Sequence, residues 1–133
     1  MCDDIGQHVG GNRSDAGFAL ISVEDGMAVC EGHPDQRVHT SIGTVHGGYA
    51  ATMLDSACGH AVRSQLHASQ RYSTLGLKIA HHRPPTHESG PVQAEGRVVS
   101  IGRSIAFAAG RLFDRHGRLC ATATSTILIF PLE

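Results

Sequence analysis

The sequence predicts an α+β fold in which an antiparallel sheet packs against one long helix. Three observations carry this reading. Apolar residues recur at helical spacing from Gly47 to about Leu66, a hairpin signature precedes that stretch, and segments of alternating polarity follow it. At 133 residues the chain has the length of one ordinary domain.

In chain order, residues 1–14 are rich in Gly, Asp and Asn without periodicity and read as an N-terminal arm, leaving 15–133 as the folded domain. Phe18 to Glu24 and Met27 to Glu31 flank Asp25-Gly26, a dipeptide suited to the positive dihedral angles of a tight hairpin turn. In the helix, Ala50, Met53, Leu54, Ala57, Ala61 and Val62 form one apolar stripe. Beyond it, Thr74 to Ala80 puts Leu75, Leu77 and Ile79 on one face of a strand, and Val92 to Val98 alternates as clearly. Ser104 to Phe113 and Leu119 to Phe130 are rich in small and β-branched residues and are joined by the turn-forming Asp114 to Gly117. One helix covers one face of such a sheet, so a second face and two edges are left over. The small residues Ala106, Ala108, Ala109 and Gly110 suit close approach of a second copy there, and equally a thin core; a homodimer or homotetramer is the expectation.

Composition excludes several function classes. Hydrophobic residues make up 41%, charged residues 17%, and the formal net charge is -1, so no basic field or basic stripe is present to hold nucleic acid. No stretch approaches the roughly twenty apolar residues of a membrane span, and Met1-Cys2-Asp3-Asp4 lacks the basic-then-apolar order of a signal peptide; a cytoplasmic protein is expected. The four cysteines form no CxxC pair, and the ten histidines show neither HxH nor HExxH spacing, so no metal site is expected.

Chemistry concentrates between Val38 and Gly59. Gly47-Gly48 opens the helix, where the absence of Cβ atoms lets a substrate carbonyl approach the backbone and unpaired N–H groups carry partial positive charge. Asp55 stands seven residues after Gly48, nearly two turns, and so shares a helix face with Gly48, Thr52 and Gly59. A carboxylate among small side chains has room in front of it for a substrate.

This segment resembles the signature of hotdog-fold acyl-CoA thioesterases of the phenylacetate-degradation type, the PaaI-like family: asparagine, then Gly-x-x-His-Gly-Gly, then a helix Asp or Glu. Gly43, His46, Gly47, Gly48 and Asp55 fall in register. Thr74 to Pro84 is similar to the family strand that ends in Arg-Pro, and the likeness runs through Arg97 to Arg103 and the final hairpin, covering nearly everything from Asp15 onward.

The resemblance implies a sheet wrapped around the long helix and hydrolysis of an acyl-CoA thioester. It implies Asp55 as general base or nucleophile, Gly47 N–H as oxyanion donor with Gly48 beside it, and Thr74, or Ser73 one residue away, as the hydroxyl that positions water. His46 either orients the loop and touches the thioester or bonds a neighbouring carbonyl. Two positions depart from the pattern: Thr40 stands where the family has asparagine, and His81-His82 where it commonly carries large apolar residues. Arg83, Arg103 and Arg111 are the candidate cations for the phosphates of coenzyme A, Arg103 foremost. No cofactor is implied, since coenzyme A is part of the substrate. In the family the carboxylate and the oxyanion glycine commonly come from different subunits. The alternative is a hotdog protein that binds acyl-CoA without turnover, or a hydratase.

Overall fold

The computed structural model describes residues 17–34, 47–83 and 90–132. Strand β1 (Phe18–Glu24) turns through Asp25-Gly26 into β2 (Met27–Gly32). Of the two turn residues Gly26 alone takes a positive φ, 83°, the conformation in which a side chain is strained. Its N–H donates to Ser64 Oγ at 2.8 Å, tying the hairpin to the end of the helix.

Helix α1 (Gly47–Arg63) buries the expected stripe, and Ser56, Cys58, Gly59 and His60 besides, so it is enclosed around most of its circumference. The enclosure comes from β3 (Gln70–His81), β4 (Val92–Ile101), β5 (Ile105–Phe113) and β6 (Leu119–Pro131) together with the first hairpin. These strands form one six-stranded sheet in the order β1-β2-β4-β5-β6-β3, antiparallel at every step, and each strand touches the helix. A twisted sheet coiled around a central helix is the hotdog arrangement. Phe18, Met53, Leu54, Leu112 and Ile127 are its largest fully buried apolar side chains, each contributing about 1.5–3 kcal/mol on burial.

The small residues of β5 have a use inside the chain. Ala106, Ala108 and Gly110 face α1, and a Cβ on Gly110 would lie 3.0 Å from Leu54 Cδ2. Opposite it in β4, a Cβ on Gly96 would lie 2.3 Å from the backbone of Ala57. Of the two uses these residues suited, a thin helix–sheet interface accounts for them; only Ala109 lies on the outer face.

At the β5–β6 turn, the nearly buried Asp114 accepts hydrogen bonds from His116 N (2.9 Å), Arg118 N (3.0 Å) and Arg118 Nε (2.8 Å). Burial by itself raises its pKa, but the donations from Arg118 and His116 outweigh that and hold the carboxyl below its ordinary value. This carboxylate is spent on closing the turn.

Candidate active site

Strand β3 lies along α1 and runs opposite to it. Near its start, the Tyr72 ring packs over Gly59, where a Cβ would lie 2.9 Å from Cε2. Two residues on, Thr74 Oγ1 donates to Asp55 Oδ1 at 2.8 Å. At the far end of β3 the ring of His81 lies over Gly47, with Cε1 and Nε2 both 3.4 Å from where a Cβ on Gly47 would stand.

A regular strand cannot place all of these on the helix side, because Thr74 and His81 differ in parity. A β-bulge between Thr74 and Gly76 resolves the conflict. Tyr72 and Thr74 face α1 before it, and Leu77, Ile79 and His81 face α1 after it. Leu75, expected on the apolar face with Leu77 and Ile79, is the extra residue of the bulge and is 58% exposed. Ser73 points to the opposite face from Thr74, so it is Thr74 whose hydroxyl meets the carboxylate.

Asp55 is half-buried, flanked by Thr52, whose hydroxyl is engaged with Gly48 O at 2.8 Å, and by Gly59 one turn on. Among the described residues nothing bonds its second carboxylate oxygen. The first turn of α1 holds no acidic residue, so nothing there offsets the positive end of the helix dipole. Gly47 and Asp55 share a helix but not a reach: eight residues at 1.5 Å each separate them by about 12 Å along the axis.

The predicted cations are dispersed. Arg83 follows β3 near the Gly47 end, its N–H donating to Cys120 O at 3.0 Å. Arg103 sits in the β4–β5 turn, and Ser104 beside it accepts from Ile129 N; Ile129 pairs with Tyr72, which places Arg103 toward the opposite end of β3. Arg111 is not a free cation: it points outward, bonds Glu95 at 3.1 Å and stacks on Phe113 at 5.3 Å. His46 and Thr40 lie outside the described residues.

Adjacent histidines take separate faces, His81 toward Gly47 and His82 to Thr122 Oγ1 at 3.0 Å. Among the described residues no three His, Cys, Asp or Glu side chains gather to hold a metal, and no helix is long and apolar enough to cross a membrane. The position of His81 at the helix start went unassigned from sequence. The signal was there in the clash of parity between Thr74 and the apolar residues after it, with Gly76 between them.

One antiparallel sheet wrapped around one helix places the chain in the hotdog-fold class. Residues 42–121 match the family model of the thioesterase superfamily, and the chain belongs to that superfamily. It is 29% identical to the proofreading thioesterase EntH of Klebsiella pneumoniae, over 80% of this chain and 76% of that protein. With the 1,4-dihydroxy-2-naphthoyl-CoA hydrolase of Listeria monocytogenes it shares 24% identity, over 90% of this chain and 95% of the relative. Its fold matches a mutant of the phenylacetic acid degradation protein PaaI from Thermus thermophilus with a TM-score of 0.76, at 24% identity, covering 85% of this chain and 93% of that one.

Proposed function

We propose that this chain hydrolyses acyl-coenzyme A thioesters as a cytoplasmic enzyme of the PaaI-like type, with Asp55 as the reacting carboxylate. The observation that carries the reading is the 2.8 Å bond from Thr74 to Asp55. With one carboxylate oxygen fixed by the Thr74 hydroxyl, a water can donate to the other while a lone pair of Thr74 accepts its second hydrogen. Asp55 then takes the water's proton as the water oxygen attacks the thioester carbon. The carbonyl oxygen becomes an oxyanion held by Gly47 N–H; the C–S bond breaks, and the proton passes from Asp55 to the departing thiolate. In the alternative sequence Asp55 itself attacks the thioester carbon, the C–S bond breaks with release of the coenzyme A thiolate, and water opens the resulting anhydride, freeing the acid and Asp55. The relatives support the substrate class, one being a hydrolase of an aromatic acyl-CoA by name.

The 12 Å along α1 means that one carbonyl cannot meet Gly47 and Asp55 of the same chain. We infer that the site is completed by a second copy. Among the described residues β3 is a twelve-residue strand at the edge of the sheet with no strand on its outer side. Antiparallel pairing of two such edges brings the Thr74 end of one copy beside the His81 end of the other. That sets the carboxylate of one copy against the helix start of its mate, and Arg83 of one toward Arg103 of the other, where the phosphates of coenzyme A need cations.

A panel of acyl-CoAs with a thiol-reactive dye tests the reading, comparing wild type with Asp55→Ala. Thiol release by the wild type and its loss in the variant is the expected result. Undiminished release by the variant removes Asp55 from the mechanism, and no release from any acyl-CoA by the wild type removes the reaction.

A further inference from the structure

His81 has no part in the mechanism above, yet its ring stands at the polarising end of the site. Its placement is set by the fold: His81 pairs with the buried Ala121 of β6, which directs its side chain to the helix side, and the bulge at Leu75 gives it that parity. The residue is exposed, so its side chain is not packed away in the core.

We propose that His81 is a second hydrogen-bond donor to the thioester carbonyl oxygen, acting beside Gly47 N–H; this rests on reading Gly47 as the oxyanion donor. The distances allow it. Nε2 lies 3.4 Å from the Cβ position of Gly47, and a residue's own nitrogen lies about 2.5 Å from its Cβ. Gly47 N and His81 Nε2 are therefore no more than about 6 Å apart, a gap that one oxygen spans with two hydrogen bonds of about 2.9 Å. The absent Cβ of Gly47 keeps that lane open, since an alanine methyl would touch both ring atoms. His81 as the Nε2–H tautomer donates to the oxygen as it gains charge, when such a bond is strongest. His82 cannot share the task, being turned to Thr122.

The test is steady-state kinetics on the best acyl-CoA substrate for wild type, Asp55→Ala, His81→Phe and His81→Gln, with far-UV circular dichroism and melting curves to show that each is folded. His81→Phe keeps a ring and removes the donor; His81→Gln restores an N–H at similar reach. The expected result is a fall in kcat of about 100-fold for His81→Phe with KM within about twofold, and recovery of about tenfold in His81→Gln. Wild-type kcat in His81→Phe overturns the proposal, as does an effect on KM alone, or equal loss in both His81 variants. If wild type is active, Asp55→Ala is not and His81→Phe is unimpaired, only this inference fails; if wild type hydrolyses nothing, the reading of the site fails with it.

Discussion

Two aspartates in this chain contrast a carboxylate engaged by its own turn with the one proposed to react. Asp114 is 5% exposed and receives three donors from its own turn, two backbone N–H groups on Oδ1 and Arg118 Nε on Oδ2, so both of its oxygens are engaged. Asp55 is half-buried and receives a single hydroxyl from across the helix–strand interface. The first is engaged at both oxygens by residues two and four positions away and holds its own loop. The second is presented by a helix and oriented by a strand nineteen residues later, and among the described residues nothing bonds its second oxygen.

The largest effect that sharpens the contrast is on turnover. Asp55→Asn should lower kcat by about 10³, equivalent to about 4 kcal/mol of transition-state stabilisation, while its melting temperature stays within about 2 °C of wild type. Asp114→Ala should do the reverse, costing about 3 kcal/mol of stability and lowering the melting temperature by about 10 °C, with near-normal turnover below it. A stable Asp114→Ala or an unstable Asp55→Asn breaks the comparison.

The same contrast has a pH dependence. Because hydrogen bonding holds the Asp114 carboxyl below its ordinary value of 3.8 in the folded state, its contribution is complete above that pH and is lost as pH falls through the lower, folded value. The gap in melting temperature between wild type and Asp114→Ala should therefore be constant near neutrality and narrow below about pH 3.8. Next in size, Thr74→Val keeps the shape of the side chain and removes the hydroxyl. A loss of about tenfold in kcat, with Thr74→Ser close to wild type, is expected if the hydroxyl orients Asp55 and its water. The smallest effect belongs to Arg118→Ala, which removes the one half-exposed donor to Asp114 and should cost no more than about 1 kcal/mol in a denaturant titration.

Much of this was legible in the sequence for identifiable reasons. The apolar stripe of α1 is dense enough that its period survives, and Asp25-Gly26 and Asp114 to Gly117 mark turns that the chain indeed makes. The places of Gly47 at the helix start and of Asp55 two turns on were legible because both are local features of one helix. The bulge at Leu75 was not, since its trace, the clash of parity between Thr74 and the apolar residues after it, shows only once Thr74 is known to face the helix, and with it went the inward turn of His81. The order of the strands was equally hidden: β3 lies beside β6 at one edge, a pairing made across the length of the domain. Ala106, Ala108 and Gly110 suited two explanations because sequence shows that backbones approach closely without showing which ones. Arg111 was offered to a ligand because its Glu95 partner lies on the adjacent strand, sixteen residues away.

The proposed hydrolysis requires the carboxylate of one copy to meet the helix start of another, and mixing two inactive variants tests that directly. Asp55→Ala removes the carboxylate. Gly47→Pro removes the N–H at a first helical position, where proline is tolerated. Co-expressed and randomly assorted, the two should regain about one quarter of wild-type thiol release per site, because half of the dimers are mixed and each mixed dimer carries one intact site of its two. Mixed dimers, verified by differential tags, that release no more thiol than either variant alone would contradict it.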